Sequence, residues 1–92
     1  MCTLIVLHRC FSQAPLVLAA NRDEYLDRAA EKPTLRRSGN RTVLAPRDLQ
    51  AGGTWLGLND AKLFAALTNR PCKAPDASLR SRGLVVFDAL AE

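Results

Sequence analysis

Ninety-two residues, 48% of them hydrophobic, suffice for one small domain with a modest core. Thirteen Lys and Arg against nine Asp and Glu leave a formal net charge of +4, and no apolar run approaches the ~20 residues of a membrane-spanning helix. Three cysteines, an odd number, and no secretory signal pattern predict a reducing, cytoplasmic setting and not a disulfide scaffold.

Cys2 stands directly behind the initiator methionine. Its small size predicts removal of Met1, which leaves a thiol and a free α-amine on one residue. That amine, with a reference pKa of about 7.7–8.0, can act as the base for its own side chain. Cys2 is therefore a candidate N-terminal nucleophile that needs no histidine, and it equally suits the plain role of a small residue opening a strand. Residues 2–10 are rich in leucine and β-branched side chains, which predicts a strand. A turn follows over 11–15, and 16–20 form a second apolar run. An antiparallel pair with its turn centred near Ser12 and Gln13 sets position 10 against 15, 4 against 21, and 2 against 22 or 23. The quartet Asn21-Arg22-Asp23-Glu24 then falls beside the thiol and amine of Cys2, and a slip of one residue leaves it there. An arginine near the thiol favours thiolate, and a carboxylate near the amine favours and orients the ammonium form.

Further along, residues 31–40 are predicted to form a long surface loop, with Pro33 and Gly39 as breakers. Arg28, Lys32, Arg36, Arg37, Arg41 and Arg47 concentrate around it. Asp27 and Glu31 interrupt the run, no aromatics are interleaved and no nucleic-acid reader motif occurs, so a solvated basic loop is expected and no nucleic-acid partner. Residues 54–59 and 62–68 read as a hairpin around Asn59 and Asp60. Counting back from that turn sets Asn69 opposite Gly52 and Gly53. Glycines there permit close backbone approach, and N–H groups beside an Asn side chain suit an oxyanion site; a bulged strand entry and a turn asparagine explain the same residues without chemistry. Trp55, next to Thr54, is expected to fill the core or line a pocket. A helix is expected to begin near Ser81 and run to the last residues.

Four blocks together, Met1-Cys2-Thr3, Asn21-Arg22-Asp23-Glu24, Gly52-Gly53-Thr54-Trp55 and Thr68-Asn69-Arg70, resemble the NRDE family, also called the transport and Golgi organisation protein 2 family. Their order and spacing match, and they cover nearly the whole chain. That family is similar to the N-terminal nucleophile hydrolases, especially the penicillin V acylase and bile salt hydrolase branch. The resemblance implies an α+β chain: the N-terminal part of a four-layer αββα sandwich, mainly antiparallel strands plus the helix near Ser81, with the cysteine starting a central strand. It also implies a cysteine amidohydrolase acting on a non-peptide amide of a small molecule. Cys2, Arg22, Asp23 and Asn69 would be catalytic, Asn69 as the oxyanion donor, with Asn21, Glu24, Gly52, Gly53, Thr54 and Trp55 in binding or support. Some members are linked to haem or lipid handling, so the alternative expectation is a non-catalytic carrier of haem or an acyl ligand. The acylases carry an arginine and, three positions later, an aspartate after the nucleophile. Here Asn21 and Glu24 have the spacing, whereas Arg22 and Asp23 have the chemistry but sit side by side. Adjacent strand residues point to opposite faces, so both reach Cys2 only if the strand has ended or bulged.

No metal site is expected. On an extended strand, His8 lies roughly 20 Å from Cys2, too far for one metal or for base catalysis, and His8, Cys10 and Cys72 lack the spacing of a zinc site. The strands present cannot complete a four-layer sandwich, so residues 1–92 read as an N-terminal fragment of one domain, expected to be inactive alone because the residues the acylases contribute from later in the chain are absent. Sheet edges and apolar faces left uncovered predict association between copies.

Overall fold

The computed structural model describes residues 2–69, 76 and 78–92; Met1, Arg70 and Cys72, singled out above, lie outside the described residues. Six strands and one helix follow in the order β1 (Leu4–Phe11), β2 (Ala14–Ala20), β3 (Ala30–Ser38), β4 (Arg41–Asp48), β5 (Leu56–Asn59), β6 (Phe64–Ala66) and α1 (Arg82–Ala91). The chain is α+β, as expected, with antiparallel strands in two sheets, β1-β2 and β3-β4-β5-β6.

The first hairpin forms where its leucines and β-branched residues predict it. Its main register is Leu4 with Ala20 and His8 with Leu16, one residue shorter than a regular turn at Ser12 and Gln13 would set. The cause is a bulge: Arg9 and Cys10 stand against Pro15 alone, and Arg9 takes a left-handed φ of 57°. Proline, lacking an N–H, loses no ladder bond at such a point. Beyond the strands, Asn21 donates its backbone N–H to the Thr3 carbonyl at 3.1 Å and accepts the Thr3 N–H on Oδ1. Continued one step, this register sets Cys2 level with Arg22.

Residues 31–40 do not form a loop. They make most of β3 and its turn into β4, and the reason lies in the two breakers themselves. Pro33 sits where the register shifts between Glu31 and Thr34 on an edge strand, where its missing N–H is tolerated. Gly39, at φ 56°, takes the first central position of the two-residue turn between Ser38 and Arg41, the Gly-X arrangement of a type II′ hairpin. The basic residues are thus carried on a ladder, with Arg36 paired to Glu31 at 3.0 Å.

The β5–β6 hairpin turns through Asp60, Ala61 and Lys62, with Lys62 at φ 65°. Asn59 fixes that turn: its Oδ1 accepts the N–H groups of Ala61 and Leu63, and its Nδ2 donates to the Leu90 carbonyl at the end of α1. The helix begins after Ser81, as the sequence predicts, and packs on β4, β5 and β6. Val86 and Leu90, one turn apart, meet Val43 and Ala45 of β4 in the buried core. The helix comes this close because three glycines omit side chains at the contact. An added Cβ on Gly57 would lie 2.6 Å from Leu90 Cδ1, one on Gly53 would lie 2.6 Å from the Leu84 nitrogen, and one on Gly83 would lie 2.9 Å from the Thr54 carbonyl oxygen. Among the described residues no helix is long and apolar enough to cross a membrane.

Candidate active site

Three chain segments converge at one end of the first hairpin and enclose a cavity of about 120 Å³. The residues just before β1 contribute Cys2, the stretch after β2 contributes the polar quartet, and the stretch after β6 contributes Asn69. The N-terminus of α1 closes another side through Ser81 and Gly83. Every residue singled out from sequence as catalytic therefore lines one cavity. Of the support residues, Asn21, Glu24, Gly53, Thr54 and Trp55 line it as well, and Gly52 does not. Cys2 is half-buried and carries a free thiol.

Strand β2 has ended before the quartet begins, since Asn21 to Tyr25 have no regular secondary structure. The alternation of a strand no longer applies, so Arg22 and Asp23 both face the cavity although they are neighbours in sequence. Arg22 sits over Trp55, its guanidinium carbon 4.6 Å from the ring centroid, a cation–π contact. Trp55 thus lines a pocket and does not enter the core.

The centre of the charge network is a residue the sequence did not single out. Asp48, at the end of β4, has a side chain only 13% exposed. Its Oδ2 accepts from Arg28 Nε at 3.1 Å and Nη2 at 2.7 Å and lies 3.7 Å from Arg22 Nη2. Its Oδ1 accepts the backbone N–H groups of Gln50 and Ala51, the arrangement by which aspartate organises a turn. Burial pushes the Asp48 carboxyl up, but the Arg28 hydrogen bond, the two backbone N–H groups and the Arg28 charge together hold it below its ordinary value. Arg28 is raised by the same hydrogen bond against the cost of its own burial, with the charges of Asp48 and Glu24 adding to the rise; Glu24 lies 3.5 Å from its Nη1. Arg22 Nη1 donates to the Arg28 carbonyl at 3.4 Å. Asp48 and Arg28 are far apart in sequence and lie in a stretch that reads as solvated charge. The one local signal is Asp48 itself, an acid shortly before the Gly52-Gly53 pair, where an aspartate suits the start of a turn.

The turn after β4 commits part of its backbone. Gly52 N–H donates to the Asp48 carbonyl at 2.7 Å, and Thr54 N–H donates to the Gly83 carbonyl at 3.2 Å. The Thr54 hydroxyl donates to the Leu56 carbonyl. These groups hold the wall and the helix together, and Asn69, exposed, lines the same cavity. His8 and Cys10 are exposed on β1 and line neither this cavity nor a second one beside it. Among the described residues no group of three or more His, Cys, Asp or Glu is placed to hold a metal.

A family model described as Transport and Golgi organisation 2 matches residues 1–92. The chain belongs to the Transport and Golgi organisation 2 family. It is 41% identical over 76 residues to the mouse Transport and Golgi organization 2 homolog, covering 77% of this chain and 26% of that protein. The bovine Transport and Golgi organization protein 2 homolog is 40% identical over 78 residues, covering 82% and 28%. The human Transport and Golgi organization protein 2 homolog is 38% identical over 74 residues, covering 77% and 26%. The chain thus spans about a quarter of the length of these family members. No solved structure matches it.

Proposed function

We propose that this member of the Transport and Golgi organisation 2 family is a cytoplasmic cysteine amidohydrolase of the N-terminal nucleophile type, its αββα sandwich begun by the strands described. The observation that carries the reading is the convergence of Cys2, Arg22, Asp23 and Asn69 on one cavity. Removal of Met1 frees the α-amine of Cys2, which takes the thiol proton. The thiolate attacks the carbonyl carbon of a small-molecule amide, a C–S bond forms, and the Asn69 side chain donates to the oxyanion. As the C–N bond breaks, the α-ammonium gives its proton to the departing amine. Water then hydrolyses the thioester, releasing a carboxylate and restoring the thiol. Arg22 favours the thiolate through its charge, and the carboxylates of Asp23 and Glu24 favour and orient the ammonium.

The test is covalent. Intact mass should first show Met1 removed, and brief incubation with an activated acyl ester should then add one acyl group. Peptide mapping is expected to place it on Cys2, and in the full-length protein Cys2→Ser is expected to depress or abolish turnover. Retained Met1, or acylation that Cys2→Ala does not abolish, overturns the reading.

A second reading, that the fold carries an apolar ligand, is favoured by a second, more open cavity of about 470 Å³ that shares Trp55 with the first and is lined by Leu18, Pro33, Pro46 and Leu56 together with the charged Arg22, Glu31 and Lys32. An acyl chain suits this lining better than haem, because among the described residues none of His8, Cys2 and Cys10 lines it as an axial ligand. A haem titration without a Soret shift would exclude the haem version.

A further inference from the structure

We propose that Asp48 is a positioning residue of the cavity: through Arg28 it holds the Arg22 guanidinium on Trp55, at the wall the cavity shares with Cys2. The proposal rests on the cysteine-nucleophile reading for its kinetic part only.

The members of this network differ in how firmly each is held. The Asp48 carboxylate receives four hydrogen bonds, two from Arg28 and two from backbone N–H groups, so it cannot rotate without losing several of them. Arg28 is clamped by two donors on one oxygen. Among the described residues the contacts of Arg22 are longer: 3.7 Å to Asp48 Oδ2, 3.4 Å to the Arg28 carbonyl, and the face of Trp55. Its place is set by the backbone and charge that the Asp48–Arg28 pair presents. Asp48 is also the anion between two arginines that would otherwise repel across a half-buried site. Arg22 and Trp55 line both cavities, as do Ala20 and Leu56, so the Arg22–Trp55 stack forms part of the wall between the two. Losing the clamp should therefore free Arg22 and uncover the ring.

Positioning and simple charge predict opposite signs at Cys2. Removing a nearby negative charge would by itself favour the thiolate and speed alkylation. Releasing Arg22 takes the cation away and slows it.

Trp55 is the single tryptophan of the chain, so acrylamide quenching of its fluorescence reads the Arg22 stack directly. The experiment compares the 92-residue chain with Arg22→Ala, Asp48→Asn, Arg28→Gln and the Arg22→Ala/Asp48→Asn pair. Thermal unfolding of each identifies the variants that fold. Quenching is expected to rise roughly twofold, as the covering side chain leaves the ring, in all three single variants, with no further rise in the double variant. Iodoacetamide labelling of Cys2 at pH 7 is expected to slow roughly threefold in the same variants, and Asp48→Glu to recover part of both effects. Should Asp48→Asn fail to fold, Arg28→Gln breaks the same clamp from its other side. Wild-type quenching in both Asp48→Asn and Arg28→Gln, or additive changes in the double variant, overturns the proposal. So does faster labelling in Asp48→Asn alongside slower labelling in Arg22→Ala, a result that leaves the nucleophile reading standing. Shared quenching changes with a Cys2 rate indifferent to Arg22→Ala support the positioning role and count against that reading.

Discussion

Asp48 links the charge network to acid stability. Its folded carboxyl is held below the ordinary value because the hydrogen bonds from Arg28, Ala51 and Gln50 and the Arg28 charge outweigh its burial. The unfolded chain therefore binds the proton more readily than the folded one. The stability this residue contributes is present above the unfolded value of about 3.9 and is lost as pH falls through the lower folded value. Asp76, fully exposed and lowered by the Ser78 hydroxyl and N–H, titrates in the same direction, so a variant is needed to isolate Asp48. Urea unfolding followed by circular dichroism from pH 6 to pH 2 should show stability falling below about pH 4. Asp48→Asn should be less stable at pH 6 and lose part of that slope; an unchanged slope would mean that Asp48 is not a main acid-labile group. At this scale the sequence is informative where the chemistry is contiguous. Cys2 and the quartet 21–24 can be brought together by counting along one hairpin, whereas Asp48 acquires its role from Arg28 and Arg22, which lie on a different connection, and no local pattern joins them.

The helix α1 depends on glycines more than on its own propensity. Gly83 lies in its first turn, where alanine ordinarily gains up to about 1 kcal/mol. Here the new Cβ would lie 2.9 Å from the Thr54 carbonyl oxygen and 3.2 Å from its nitrogen, backbone atoms that cannot swing aside. Gly57→Ala meets Leu90 Cδ1 at 2.6 Å, Ala45 Cβ at 2.9 Å and the Leu44 carbonyl oxygen at 3.0 Å. Each substitution is expected to destabilise by about 1–3 kcal/mol, the range for overpacking, as read from the urea midpoint. A stabilised Gly83→Ala would show that helix propensity outweighs the contact. Leu90, wholly buried, should cost about 2–5 kcal/mol when cut to alanine. The helix itself is legible from its apolar run after Ser81, and so are the two hairpins. β3 is not, because proline and glycine read as breakers of a strand when one marks its bulge and the other its turn. The Arg9–Cys10 bulge escapes for a related reason: hairpin counting assumes one residue opposite one, and nothing in the local sequence announces the extra residue.

Taken whole, the described chain has an uneven distribution of apolar burial. Val43, Ala45, Val86 and Leu90 make up its buried hydrophobic core, all of it between the four-stranded sheet and α1. Among the described residues the β1–β2 hairpin stands apart as a two-stranded sheet with both outer edges open. Such a hairpin is marginal in water without a third strand or a packed face. Its Ile5, Val6 and Phe11 are 52%, 45% and 55% exposed, on a strand rich in β-formers whose unpaired N–H and C=O groups invite another strand. The same hairpin carries Cys2 to the cavity, so the end of the described chain that holds the candidate site is also the one least supported by packing. A second copy pairing along this edge satisfies both the backbone and the apolar side chains. Sedimentation velocity over a wide range of concentration is expected to show association. Val6→Lys, which puts a charge on the exposed strand without touching the cavity lining, is expected to raise the concentration needed by roughly tenfold, about 1.4 kcal/mol. A chain that stays monomeric throughout, or a Val6→Lys variant that associates like the parent, would show that β1–β2 is not the joining surface.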